Sequence, residues 1–337
     1  MMKNITSEAV KPETNRVALN IVQSRGSMQT AVLSSLAIGT VIIGAALSLK
    51  VDSNDGSTDY PLEATEEYGR RLLRNTSLYI GPNHDNPTMR YSGTNMACAS
   101  CHLEIGTKPG TLSLLPSAPR YPRDSGRDGD VRDLTDRING CMQRSMNGKP
   151  LPRESVEMLA MERYILGLNN QYEAMGATNR VIDEQPAFAE PDRGASVAAG
   201  KIVYEGRCQV CHGADGLGLQ ATADPAMGYL FPPLWGADSF NNGAGMNRVL
   251  TAARFIKARM PLGEANLTDN EAFDVAAYIN SHPRPIKSNL EVDYPDRTRK
   301  PIDSPYPPYA DDFPHEQHKY GPFRPIREYY ENLKAAE

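Results

Sequence analysis

The sequence has no excess of positive charge: 36 Lys and Arg stand against 41 Asp and Glu, for a net charge of −5. That balance excludes the general cationic surface that holds nucleic acid or anionic lipid, so any anion site must be local and no nucleic-acid partner is expected. Strand signals are nearly absent, which points to a mainly helical fold with long loops. Long apolar runs are lacking too, with one exception. Between Arg25 and Lys50 lie 24 residues without a charge, and a helix needs ~20 apolar residues to cross hydrocarbon. Lys3, Lys11, Arg16 and Arg25 precede the run, and Asp52, Asp55 and Asp59 follow it, so the basic flank should stay cytoplasmic. A cleaved signal peptide competes, with Ala46-Leu47-Ser48 as a small-x-small site, but such apolar cores run only ~7 to 15 residues. The expectation is a cytoplasmic segment over 1–27 and a transmembrane anchor over 28–50. Either reading exports the rest of the chain. An even cysteine count is the last thing missing: Cys98, Cys101, Cys141, Cys208 and Cys211 would leave one thiol over in a disulfide framework.

What is present is one layout used twice, over 60–172 and 194–284, with a polar, Pro-containing linker over 173–193. In the first copy Glu66 and Glu67 open a helix whose Tyr68, Leu72 and Leu73 share a face and whose Arg70, Arg71 and Arg74 come late, a charge order that suits the helix dipole. Then come Cys98-Ala-Ser-Cys101-His102, a Gly/Pro-rich loop, and a helix from about Arg153 to Leu166, ended by Gly167. The second copy opens with a helix near Ala195 to Glu205, then Cys208-Gln-Val-Cys211-His212, Arg259-Met260-Pro261, and a helix begun by a Thr268/Glu271 capping box. Tyr164 and Tyr278 hold matching places in the two closing helices. The tail over 285–337 mixes Pro301, Pro305, Pro307, Pro308, Pro314, Pro322 and Pro325 with aromatics. It cannot be helical throughout, and its aromatics favour wrapping over the second domain, with a short helix from Ile326 to Ala335.

In Cys-x-x-Cys-His each thiol forms a thioether to a porphyrin and the adjacent His reaches the iron. A redox dithiol or a four-cysteine zinc site is the bland alternative for a lone Cys-x-x-Cys. Here both pairs carry the His, so two covalent haems c are expected, held by Cys98, Cys101 and His102 and by Cys208, Cys211 and His212. The sixth iron position separates electron transfer from chemistry. For the second haem Met260 is the candidate, since it precedes the closing helix where small c-type cytochromes supply a methionine; Met246 and Lys257 are weaker rivals. For the first haem Cys141, Met142 and Met146 are near equals on spacing, and Cys141 would explain the odd count. Arg120, Arg123, Arg127, Arg132, Arg137 and Arg144 interleave with Asp124, Asp128, Asp130, Asp133 and Asp136. The default reading is a solvated, self-paired face; the functional one turns some guanidinium forks toward an anionic substrate.

The stretch Arg137-Ile-Asn-Gly-Cys141-Met-Gln-Arg-Ser145-Met-Asn-Gly, the arginine loop before it, Arg259-Met260-Pro261-Leu262-Gly263 and the segment from Tyr309-Ala-Asp to Tyr320-Gly-Pro-Phe resemble the thiosulfate dehydrogenases. These are periplasmic dihaem cytochromes that couple two thiosulfates to tetrathionate. The resemblance runs from about Tyr68 to Pro325 and implies two class I cytochrome c-like domains; the N-terminal transmembrane helix expected ahead of them is not general to the family. It implies Cys141 as ligand to the first haem, Arg127 and Arg137 as substrate-binding arginines with Gln143 and Ser145 in the same pocket, and Met260 as ligand to the second. Arg259 stands where some members carry a lysine ligand, so a lysine-to-methionine switch is not expected. The implied site is the periplasmic face of a bacterial inner membrane, with thiosulfate or tetrathionate as small-molecule partners and a cytochrome or other redox protein as electron acceptor. Competing readings are a dihaem electron carrier without its own substrate, and the cytochrome subunit of the periplasmic sulfur-oxidation complex.

Overall fold

The structure, a computed structural model, describes residues 63–176 and 187–336. The first half contains α1 (Glu66–Arg74), α2 (Thr76–Ile80), a hairpin of β1 (Arg123–Ser125) and β2 (Asp130–Arg132), α3 (Leu134–Arg144) and α4 (Val156–Ala174). Thr65 caps α1 by accepting the Tyr68 N–H on Oγ1 at 3.0 Å, with Glu66 and Glu67 in the first turn and Arg71 and Arg74 in the last. Its buried face of Tyr68, Leu72 and Leu73 packs on Met158, Met161 and Ile165 of α4. Where the two helices cross, a Cβ on Gly69 would lie 2.0 Å from the Ala160 carbonyl oxygen. Only glycine permits that approach.

The second half repeats the device. It contains α5 (Val197–Arg207), α6 (Gln209–His212), a hairpin of β3 (Leu219–Gln220) and β4 (Tyr229–Phe231), α7 (Val249–Arg259) and α8 (Asp269–Ser281). α5 crosses α8 at Gly200, whose Cβ would lie 2.0 Å from the Asp274 carbonyl oxygen. The matched tyrosines stand beside both crossings: Tyr164 Cβ and Tyr278 Cβ would each be 2.8 Å from the added carbon. α8 opens with the expected capping box, Glu271 N–H to Thr268 Oγ1 at 3.2 Å and Thr268 N–H to Glu271 Oε2 at 2.7 Å. Phe273, Val275 and Ile279 of α8 join Leu250 and Ile256 of α7 and Trp235 in the second core.

Three expectations change. α4 does not stop at Gly167 but continues to Ala174: Leu168 is buried and anchors the next turn, outweighing the ~1 kcal/mol that a mid-helix glycine costs. α5 starts at Val197 rather than Ala195 because Ser196 Oγ takes the Ala199 N–H. The β1–β2 hairpin, with Arg123 opposite Arg132 and Ser125 opposite Asp130, carries almost no strand pattern of its own.

After α8 the chain wraps back over both halves and ends in α9 (His315–Tyr320) and α10 (Arg324–Ala335). Phe323, Ile326 and Tyr330 complete the second core, as the aromatics led one to expect. Fully buried Asp303 pairs with Arg248 and accepts the Leu250 N–H at 3.1 Å, capping α7, which has no side-chain cap within its own segment. The anchor expected over 28–50 lies outside the described residues, as do linker residues 177–186. Among the described residues no helix is long and apolar enough to cross a membrane.

Candidate functional site

Cys98, Cys101 and His102 border a cavity of about 850 Å³, a volume in the range of sites that bury a large organic ligand. Leu73, Met161 and Ile165 form apolar wall, and Phe240 and Met246 close it from the second half. His102 donates from Nδ1 to the Leu112 carbonyl at 2.7 Å, which sets the ring and leaves Nε2 for the cavity.

Cys141, on α3, borders the same cavity. Burial pushes its thiol up, but Arg137 and His102 more than offset this and bring it down to about 6. The Arg137 Nη1 donates to Cys141 Sγ at 2.7 Å, the two residues sharing a helix face one turn apart. Arg137 is itself held charged, first by the Cys141 thiolate. Cys98 and Cys101 lack such a cation, and burial pushes them up to about 11 and about 12. Met142 and Met146 also touch the cavity but are packed into the first core. Of the three candidates, Cys141 is the one built to be an anion.

Arg127 sits in the turn between β1 and β2, where Gly129 (φ +70°) packs against Pro295. The Tyr294 N–H donates to the Arg127 carbonyl at 2.6 Å, and Arg127 Nε donates to Tyr294 Oη at 3.3 Å. Arg127, Arg137, Gln143 and Ser145, which the family resemblance groups, border one cavity with Cys141. The self-paired reading holds for Arg132, bonded to Asp128 at 2.6 Å, and fails for Arg127 and Arg137. Arg144 also borders the cavity but is buried in an ion pair with Asp293 at 2.7 Å. The Gln143 carbonyl accepts from Asn241 Nδ2 at 2.8 Å, so the second half grips the end of α3.

Three residues of the wrapping segment were not foreseen. Tyr294 and Arg299 border the cavity, and buried Asp293 gathers Arg144, the Tyr306 hydroxyl at 2.8 Å and, at 4.0 Å, Arg127. The Pro/aromatic composition signalled wrapping, but no local pattern said that it would reach the first half.

In the second site His212 donates from Nδ1 to the Pro232 carbonyl at 2.8 Å, and burial keeps its pKa low. Met260 ends α7 and packs with Cys208 against the second core. Its rivals are engaged elsewhere: Lys257 Nζ donates to the Leu267 carbonyl at 2.7 Å, and Met246 packs between the two cores. Arg259 is buried and donates to Pro109 across the two halves. Leu217, Leu219, Leu230 and Leu262 in this half are exposed, apolar surface of the kind a porphyrin needs. Both sites thus offer what a haem c requires: paired thiols, an imidazole fixed through Nδ1, and apolar surface for the ring.

The comparisons agree with this layout. Residues 90–172 match the family described as SoxA/TsdA, cytochrome c domain, and residues 195–279 match cytochrome C oxidase, cbb3-type, subunit III. The chain is 38% identical over 245 residues to thiosulfate dehydrogenase of Stutzerimonas stutzeri, covering 72% of this chain and 75% of that one. It is 40% identical over 225 residues to that of Allochromatium vinosum, covering 65% and 77%, and 33% identical over 299 residues to that of Psychrobacter arcticus, covering 87% and 88%. A solved structure, thiosulfate dehydrogenase (TsdBA) from Marichromatium purpuratum in its "as isolated" form, superposes with a TM-score of 0.57 at 34% identity, over 70% of this chain and 50% of that one. The chain therefore belongs to the thiosulfate dehydrogenase family of cytochromes, with two mainly helical cytochrome c domains that each carry a covalent haem c.

Proposed function

We propose that this chain couples two thiosulfates oxidatively to tetrathionate in the first cavity and hands two electrons to an acceptor cytochrome or other redox partner. The observation that carries this is Cys141, an anionic sulfur held by Arg137 and beside His102, with Arg127 on the same cavity. The haems, when bound, would supply one-electron acceptors in series, the first held by Cys98, Cys101 and His102 with Cys141 as the further candidate ligand, the second by Cys208, Cys211 and His212 with Met260.

The protein's own groups have defined work. Two thiosulfate dianions repel, and Arg127 and Arg137 provide fixed positive charge where their sulfurs must meet. Both guanidinium groups are already oriented, so little reorganisation is needed. The Cys141 thiolate and the outer sulfur of one thiosulfate lose two electrons together and form an S–S bond. The outer sulfur of the second thiosulfate then attacks that of the first; tetrathionate leaves and the Cys141 thiolate is restored. Gln143 and Ser145 border the same cavity and offer polar side chains for the sulfonate oxygens. The same steps run backward reduce tetrathionate.

This reading places residues 60–172 and 194–284 as the two working domains on the periplasmic side of an inner membrane, with 28–50 as their anchor. Steady-state thiosulfate oxidation with an artificial acceptor tests it. The wild type should turn over and Cys141→Gly should not, with both haems still attached. Inactive wild type would return the chain to the class of electron carriers, and an active Cys141→Gly would remove the covalent role of the cysteine.

A further inference from the structure

The approach to the first attachment motif is held from the second half of the chain. Asp238 accepts the Asn95 N–H on Oδ1 at 2.9 Å, Asn95 Nδ2 on Oδ2 at 3.1 Å and the Tyr229 hydroxyl on Oδ2 at 2.7 Å. Both oxygens are in use, so an amide of the same shape would set its own NH2 against a donor. Asn95 is buried, and its Oδ1 accepts from Asn83 Nδ2 at 2.9 Å. Three residues on, the Cys98 N–H donates to Thr76 Oγ1 of α2 at 3.1 Å. The segment Asn95–Cys98 is thus pinned at one end by its own half and at the other by Asp238.

The strand bonded to Asp238 also holds the other site. Tyr229 opens β4, and Pro232, directly after β4, accepts from His212 Nδ1 at 2.8 Å, while the Phe231 ring meets the His212 ring edge-on at 6.3 Å. At its near end the hairpin touches the first half: a Cβ on Gly228 (φ +73°) would lie 3.0 Å from the Asn95 carbonyl oxygen. The stretch 228–232 therefore meets the approach to Cys98 at one end and the imidazole of the second site at the other. Asp238 fastens the first of these ends. Phe240, two residues after it, is wall of the first cavity, and Asn241 holds the Gln143 carbonyl.

We propose that Asp238 is a positioning residue that fixes the spacing between the two haem sites, and with it the rate at which electrons pass from one haem to the other. Electron transfer between two centres falls steeply with their separation, so a small relaxation of this joint is felt in the rate. Hydrogen bonds to a carboxylate are shorter and stronger than neutral ones, and a fully satisfied polar network is rigid. Asp238 acts through Asn95 and Tyr229. The inference rests on the two haems relaying electrons in series, as in the function proposed above, and not on thiosulfate as the source of those electrons.

The test is flash reduction of the oxidised dihaem protein by photogenerated flavin semiquinone, following by absorption how the electron redistributes between the two haems. Wild type, Asp238→Asn and Tyr229→Phe are compared, with covalent haem content and both midpoint potentials as controls. Asp238→Asn should slow the exchange several-fold at full haem content, beyond what any change in the two potentials explains. Tyr229→Phe, which leaves Asn95 bound, should slow it less. An exchange rate in Asp238→Asn equal to that of wild type would overturn the proposal, as would a slowing that the potentials account for. If Asp238→Asn fails to load haem, Tyr229→Phe decides instead: a slower exchange at unchanged potentials is expected, and an unaltered one refutes the role. The electrons come from the flash, so a chain that proved unable to oxidise thiosulfate would still answer the question.

Discussion

Arg137 Nη1 donates to Cys141 Sγ across 2.7 Å, one turn apart on α3. The guanidinium is therefore a partner of the reactive sulfur and not only a binder of substrate. Removing one preorganised donor from a site of developing charge costs ~10²–10³ in rate. Arg137→Ala should lower kcat/KM for thiosulfate by that order, and Arg137→Lys should recover part of it. Steady-state kinetics at matched haem content check this; a variant within twofold of wild type would remove Arg137 from the reaction.

Asp293 is the hub beneath Arg127 and Arg144. With Asp293→Ala, Arg144 is left buried without its counter-charge, and breaking such a pair costs ~3–5 kcal/mol. The expected outcome is a clear loss of stability in denaturant unfolding together with a raised KM, because Arg127 loses its support. Tyr294→Phe removes one hydrogen bond of ~1 kcal/mol and should raise KM with little change in stability.

Substrate attraction should be salt-sensitive despite the net charge of −5, since the local cations and not the whole surface draw the dianions in. Screening shortens to ~8 Å at physiological ionic strength. kcat/KM for thiosulfate should therefore fall as salt rises while kcat changes little, a trend read from kinetics at several ionic strengths. A flat profile would argue against arginine-guided entry.

Met260 is testable apart from the first site. Thioether ligation raises a haem potential, so Met260→His should lower the midpoint of the haem at Cys208 and Cys211 and leave the Cys141 site intact. An unchanged potential would assign the ligand elsewhere.

Much of the architecture is legible in local patterns. The capping box at Thr268, the charge order of α1 and the two Cys-x-x-Cys-His motifs are short-range signals, whereas α3, which puts Arg137 and Cys141 on one helix face, lies in a stretch that the Gly and Pro content reads as a loop. What is not legible is long-range. The β1–β2 hairpin has Val131 as its one apolar β-branched residue; it is held by the ion pair of Asp124 with Arg299 and the bond of Tyr294 to Arg127, and no periodicity encodes those. For the same reason the arginine run looks uniform in sequence yet separates in three dimensions. Arg132 is self-paired, Arg137 bonded to sulfur and Arg144 buried, according to what distant chain meets each one. The likeness to thiosulfate dehydrogenases, and not spacing, distinguished Cys141 from Met142 and Met146 before the cavity did.

The Tyr294 hydroxyl that meets Arg127 lies 167 positions further along the chain. During synthesis the first haem motif, Arg127 and Cys141 all emerge before the segment that seats them, and the second domain must be made in between. The reaction pocket is thus among the last parts of the molecule to close, although its cysteines are among the first to appear. A chain cut short after the second domain would carry both attachment motifs and still leave Arg127 without its clasp.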